Sequence, residues 1–265
     1  MPGCCPAIPN RTDDPDRAAL PDDLSARLAT LTSELAAVPA EERTKAARAL
    51  WEKSGTRTRV YRPLKSILQQ MALGLEQCMY CGADFGTDVD HFDPIARSPL
   101  RAFDWLNHLL ACATCNSNHK RDLFPTDADG EPLLIDPTTE DPFKHMTLSL
   151  STDVYHPLSA KGVATIEVCG INRRQLVDGR RRARSVVAFC LRGWAATVPA
   201  DRDAKLEEIA QLIREQPFGD VCQAMLRQAV APGAELIFSD AKIAGLEPDM
   251  LAHLRAPEVR SALLR

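Results

Sequence analysis

The sequence predicts a mostly helical protein with a small β content. Three observations carry that expectation. Apolar residues recur at helical spacing through residues 21–76 and again from Asn172 onward. Two Cys-x-x-Cys pairs, Cys78/Cys81 and Cys112/Cys115, bracket a stretch with strand and turn signals between those helical parts. No apolar run reaches the roughly 18 residues of a membrane span. The chain therefore divides into a flexible tail (1–20), a helical N-terminal segment (21–76), a cysteine-bracketed module (77–125), an extension with a long Arg-rich helix (126–200) and a helical C-terminal segment (201–265).

In order, Leu24, Leu28, Leu31 and Leu35 predict a helix over 21–38, opened by Asp22 and Asp23 and ended by Pro39. A second helix fits 40–53, with Ala46, Ala47, Leu50 and Trp51 on one side, and Gly55 closes it. The basic stretch 56–62 reads as extended. Pro63 opens a third helix, 63–76. Within the module, Cys78 to Gly82 reads as a metal knuckle and 87–92 as a strand ended by Pro94. A loop over 95–107 holds a short helical piece near Trp105, and a helix starts near Cys112. Leu133–Ile135 and Thr147–Ser151 read as short strands, and 162–168 as a strand or a helix lead-in. A long helix fits 172–198, with Leu176, Val177, Val186, Val187, Phe189 and Cys190 facing the core. Helices then fit 201–215 and 218–230, and 236–265 is helical but weakly patterned.

The 265 residues are 45% hydrophobic and 26% charged, ordinary values for a globular protein. The first residues carry Pro and Asp rather than an apolar signal core, which points to a cytoplasmic protein. Nine cysteines in such a chain suggest metal ligation more than disulfides. Cys169, Cys190 and Cys222 lie among apolar residues and read as core; Cys4 and Cys5 fall in the tail. A net charge of −4 argues against nucleic acid only when averaged over the chain. Arg57, Arg59, Arg62 and Lys65 form one basic cluster, and Arg173, Arg174, Arg180, Arg181, Arg182 and Arg184 another.

Two Cys-x-x-Cys pairs suit tetrahedral zinc, and four thiolates leave no open position, so the expected zinc is structural. Asp90, His91, Asn107 and Asn116 suit different chemistry. Hydrolysing a phosphodiester needs an activated water and charge neutralisation at the phosphate. His91 titrates in the range a general base needs. Oxygen donors from Asp90 and Asn116 suit magnesium or manganese. Adjacent strand residues point to opposite faces, so Asp90 can hold the ion while His91 turns to the water. Asn107 is placed to fix the loop. His119 is a further candidate ligand, and Lys120 a candidate phosphate contact.

These residues resemble the HNH (ββα-metal) endonuclease family in its four-cysteine zinc form. The likeness runs from Cys78, Cys81 and Gly82 through Asp88, Asp90, His91 and Pro94, then Trp105-Leu106-Asn107, and closes with Cys112, Cys115 and Asn116. It implies a ββα-metal fold, His91 as general base, Asn107 as the middle asparagine, and Asp90 with Asn116 as holders of one divalent ion. It also implies products with 5′-phosphate and 3′-hydroxyl ends. One position departs: relatives often place Lys three residues after the asparagine, where this chain has His119 and then Lys120. A weaker resemblance, over roughly 78–190, runs through HFDP from His91, LLIDP from Leu133, EDPFKHM from Glu140 and TIEVCGINRRQL from Thr165. It is to HNH nucleases of Septu-type and retron-associated anti-phage systems, which work beside an ATPase.

The expectation is thus a DNA endonuclease, acting on double-stranded DNA in anti-phage defence, with the arginine clusters on the backbone. A zinc-stabilised binding module without catalysis, for nucleic acid or protein, is the alternative reading. A third is a subunit active only with an ATPase or other defence-system partner; a homo-oligomer is also compatible.

Overall fold

The computed structural model describes residues 19–72, 74–83 and 85–264. The tail reading for 1–20, and Cys4 and Cys5 with it, lies almost wholly outside the described residues. Helices α1 (Asp22–Ala36) and α2 (Arg43–Glu52) follow the leucine and alanine spacing closely. The stretch expected to be extended is helical instead. A short α3 (Ser54–Thr56), a wider i→i+5 turn (Arg57–Tyr61) and α4 (Arg62–Met71) run on as one rod. Pro63 has no N–H to give to the preceding turn, and the wider coil before it accommodates that loss.

The module follows as a two-stranded antiparallel hairpin, β1 (Asp88–His91) and β2 (His108–Ala111). Asp90 pairs with Leu109 and His91 with His108. All four β2 residues are buried, so the strand lacks the alternation that announces a half-exposed one. Tight turns at Pro99–Arg101 and Trp105–Asn107 shape the loop between the strands. Past Cys112 the chain coils over Thr114–Lys120, again as an i→i+5 turn, closed by Arg121 N–H donating to Asn116 O at 2.7 Å.

A second hairpin, β3 (Met146–Ser149) with β4 (Val154–Pro157), leads into α5 (Ala160–Val168). Residues 133–135 are not a strand, although Leu134 and Ile135 are buried. The long helix α6 (Arg174–Ala196) packs against α7 (Arg202–Glu215), α8 (Gly219–Gln228) and α10 (Pro248–Arg255), and α9 (Ala234–Ile237) and α11 (Pro257–Leu263) share the same core. Cys169, Cys190 and Cys222 are buried as expected. Phe189 is not: its side chain is 78% exposed, on the solvent side of α6 with Val186.

Two cores clamp the module from opposite sides. Val89, Ile95, Phe103 and Leu110 bury against α1, α2 and α4 through Leu24, Leu28, Trp51, Leu64 and Leu68. Cys78, Cys81 and Cys115 bury in the core of the C-terminal helices with Val187, Leu191 and Met225. Among the described residues no helix is long and apolar enough to cross a membrane.

Candidate active site and metal centre

The two Cys-x-x-Cys pairs meet. The Sγ atoms of Cys78, Cys81, Cys112 and Cys115 all lie within 4.8 Å of one another, the one such group of three or more metal-binding side chains among the described residues. Tetrahedral zinc with Zn–S bonds of about 2.3 Å would hold its sulfurs roughly 3.8 Å apart, a separation that lies within this bound. The thiols of Cys115 and Cys78 already hold the Cys112 thiol well below its ordinary range. Gly82, at φ +69, supplies the left-handed turn that brings Cys81 back beneath Cys78. The four-cysteine cluster thus has the donor set and spacing of a structural zinc site.

Arg173, read from the sequence as a nucleic-acid contact, sits against this cluster. Its guanidinium donates to Cys115 Sγ at 3.4 Å and Cys81 Sγ at 3.5 Å, and to the carbonyls of Cys169 and Gly170 at 3.2 Å. Four thiolates around a divalent ion carry excess negative charge, and this cation offsets part of it.

Strand geometry sorts the remaining candidates. His91 shares a face of β1 with Val89 and meets α2: its ring packs against Trp51 with centroids 4.5 Å apart. Trp51 in turn stacks on His108 at 5.3 Å and 10°. His91 Nε2 lies 3.0 Å from Ala102 O. A carbonyl only accepts, so Nε2 carries the proton and Nδ1 keeps its lone pair. Burial pushes the His91 pKa down to about 4, so the imidazole is neutral at physiological pH.

Asp88 and Asp90 occupy the opposite face and meet the coil after Cys112. Asp90 Oδ2 accepts from Tyr80 Oη at 2.6 Å and pairs with Lys120 Nζ at 3.1 Å. Burial raises the Asp90 carboxyl above its ordinary range, against the pull of Lys120 and Tyr80. Lys120 is 0% exposed and also donates to His91 O at 2.8 Å, which takes it out of reach of a phosphate. Asn116 Nδ2 points to Asp88 Oδ2 at 3.5 Å, so its Oδ1 faces away from that carboxylate. The Tyr80 and Lys120 contacts of Asp90 both use Oδ2. Asp90 Oδ1 and Asn116 Oδ1 lie outside the Tyr80, Lys120 and Asp88 contacts, and are hard oxygens of the kind that suits a divalent cation.

Asn107 is wholly buried at the end of the loop between the strands. Its Oδ1 accepts from Asp93 N–H at 2.8 Å, and its Nδ2 donates to Asp93 O and Arg101 O at 3.0 Å. That amide ties the two ends of the loop that carries Ala102, and hence the carbonyl that orients His91. A cavity of about 440 Å³ opens where the two strand faces meet at their edge. Asp90, His91 and Asn116 line it together, with Trp51, Arg48, Glu52, Arg121 and Asp122.

Other expectations fail on packing. His119 does not join Asn116: its ring lies against Gly170, whose added Cβ would sit 2.5 Å from it. In an i→i+5 coil the residue three along is carried off the face that an α-helix would give it. The same coil delivers Lys120 to Asp90. The arginines of α6 do not form one surface. Arg180 is 0% exposed and donates to Asp153 O and Ile171 O; Arg184, at 3%, forks onto the Asp153 carboxylate. Their partner sits in a distant turn, so burial was invisible in the arginine run. Arg174, Arg181 and Arg182 stay exposed, away from the cavity lining. Trp51, Tyr80, Arg48 and Arg121 were missed; an isolated Trp in a helix reads as core.

The HNH endonuclease family model matches residues 78–122. Septu protein PtuB of Bacillus mycoides (strain KBAB4) is 25% identical over 149 residues, which are 45% of this chain and 50% of that relative. The match therefore spans only half the relative's length. No solved structure matches the chain. Residues 78–122 are thus an HNH endonuclease domain with a four-cysteine cluster, set in a chain distantly homologous to Septu protein PtuB.

Proposed function

We propose that this chain is a metal-dependent endonuclease that hydrolyses DNA phosphodiester bonds in anti-phage defence. The observation that carries this is the cavity where Asp90, His91 and Asn116 converge. Asp90 and Asn116 would hold a magnesium or manganese ion through the oxygens not engaged by Lys120, Tyr80 and Asp88. Such an ion supplies positive charge at the scissile phosphate and its leaving oxygen. His91 Nδ1 takes the proton of the attacking water, while Nε2–H stays on Ala102 O. The anionic phosphate entering beside the ring raises the basicity that burial has lowered. Lys120 and Asn107 act through others: one positions Asp90 and the His91 backbone, the other the loop under His91. Zinc in the four-cysteine cluster has no open position and serves structure alone.

The distant relation to a Septu protein supports a role beside a second subunit of a defence system, of the ATPase kind that the sequence resemblance implies. The test is cleavage of double-stranded DNA, single-stranded DNA and RNA with magnesium and manganese, by wild type and His91→Ala, alone and with co-expressed neighbouring gene products. Loss of cleavage in His91→Ala with unchanged zinc content is expected. Retained cleavage would sink the general-base assignment.

A further inference from the structure

Burial of Lys120, Arg180 and Arg184, and the engagement of Arg173 with the cysteine sulfurs, leave open which cations meet the nucleic acid. The cavity answers with two arginines that the basic runs did not single out. Arg48 comes from α2, outside the matched domain, and Arg121 follows the coil that carries Asn116. Both line the same cavity as His91 and Asn116.

Their settings differ from those of the buried arginines. Arg48 reaches across the sequence to Asp122 Oδ2 at 2.9 Å, and both side chains are more than half exposed. An exposed pair of this kind is held weakly and exchanges partners readily. Arg121 spends only Nε, donating to Ser117 O at 3.1 Å. Its backbone sits at φ 50, ψ −127, a left-handed conformation that a residue with a side chain rarely adopts. Strain of that kind persists where the surroundings over-determine it and clusters at functional sites.

The charges facing the cavity are nearly balanced. Asp90 is paired with Lys120 and Asp122 with Arg48, and Glu52 and Arg121 both line the cavity. A divalent ion on Asp90 and Asn116 would tip that balance to positive. An entering phosphodiester would then compete with Asp122 for the Arg48 fork, whose geometry suits phosphate as well as carboxylate.

We propose that Arg48 and Arg121 form the phosphate clamp of this site, with Asp122 as an internal stand-in for the phosphate that holds Arg48 until a nucleic-acid backbone displaces it. The helical N-terminal segment then contributes to the site twice, through Trp51 behind the base and Arg48 at the mouth. The proposal rests on the nuclease reading for the identity of its polyanion.

The test is fluorescence anisotropy with labelled duplex DNA in calcium, using the full-length His91→Ala chain across a salt series. Each neutralised phosphate contact contributes a slope of about 0.9 to the fall of log K with log salt. Arg48→Gln and Arg121→Gln are each expected to weaken binding and flatten the slope by about one such contact. Asp122→Asn is expected to tighten binding when Arg48 is present and to do nothing in the Arg48→Gln background. Lys205→Gln, on α7, controls for loss of one positive charge. Slopes unmoved by Arg48→Gln and Arg121→Gln, changes no larger than the control's, or no binding to duplex, single strand or RNA at low salt overturn the clamp. DNA binding that responds to Arg48 in a wild-type chain that cleaves nothing sinks the nuclease reading and leaves the clamp standing. His91-dependent cleavage with a salt slope indifferent to Arg48 does the reverse.

Discussion

Replacing Lys120 with Met tests the junction of the two strand faces. Lys120 is 0% exposed; its ammonium serves the Asp90 carboxylate at 3.1 Å and the His91 carbonyl at 2.8 Å. Met fills much of the volume of the lysine stem, so the cavity contribution is small. What remains is a buried carboxylate left with Tyr80 as its hydrogen-bond donor, and a buried carbonyl without its cation. Removing one partner of a buried ion pair costs about 3–5 kcal/mol. Asp90 has an escape, because burial already pushes its carboxyl upward: it can protonate. A carboxyl whose folded pKa is raised loses stability as pH climbs through that pKa. The Lys120→Met deficit should therefore be larger at pH 8 than at pH 5. Adding Asp90→Asn removes the stranded charge and should recover most of the loss. Urea unfolding of the zinc-loaded protein at both pH values gives the numbers. A cost under about 1 kcal/mol at pH 8 would refute a working buried pair, since exposed pairs fall in that range. So would a double variant no more stable than Lys120→Met.

Three further outcomes follow from the same geometry. His91, held down to about 4 by burial, stays neutral in the folded chain while the unfolded chain protonates near its ordinary value. Its contribution is intact above about pH 6.5 and is lost as pH falls through 4, up to roughly 3 kcal/mol; identical acid-unfolding profiles for wild type and His91→Ala would count against it. Arg173→Ala removes the cation on the thiolates and should lower zinc affinity roughly 10- to 100-fold, read by competition with a chromogenic chelator; unchanged affinity would mean that the arginine only packs. Gly170→Ala forces a side chain into a φ +59 backbone and against the His119 ring. It should cost about 1–2 kcal/mol from the backbone alone, with the clash relieved by adding His119→Ala; thermal melts of the two variants decide.

Helices with a clear apolar stripe were legible to within a few residues, as Leu24, Leu28 and Leu35 on α1 illustrate. The two cysteine pairs were legible as a ligand set because spacing alone expresses tetrahedral ligation. β2 was not, because all four of its residues are buried and HLLA has no period. The arginine run misled for a related reason. Charge along a helix reads as solvated, yet Asp153, buried at φ 59 in the turn between β3 and β4, draws Arg180 and Arg184 inward. Phe189 misled in the opposite direction, since hydrophobicity alone does not say which side of a long helix is covered. Trp51 shows the general limit: its place beside His91 is a tertiary contact between segments forty residues apart, and no local pattern encodes it.

The widened coil at Thr114–Lys120 also bears on how this chain tolerates change in length. Cys115 is pinned at one end by the sulfur cluster, and Lys120 at the other by a carboxylate beneath β1. Between two such anchors an additional residue cannot be absorbed by a surface loop; it is stored as a change of pitch. The segment acts as a slack turn that keeps both anchors in place. Deleting Ser117 or Asn118 should tighten it to an ordinary α-turn with Lys120 still under Asp90, whereas the same deletion inside β1 would invert every face of the site. A pattern that fixes the spacing between the last cysteine and the lysine would record this chain as lacking a residue that it has.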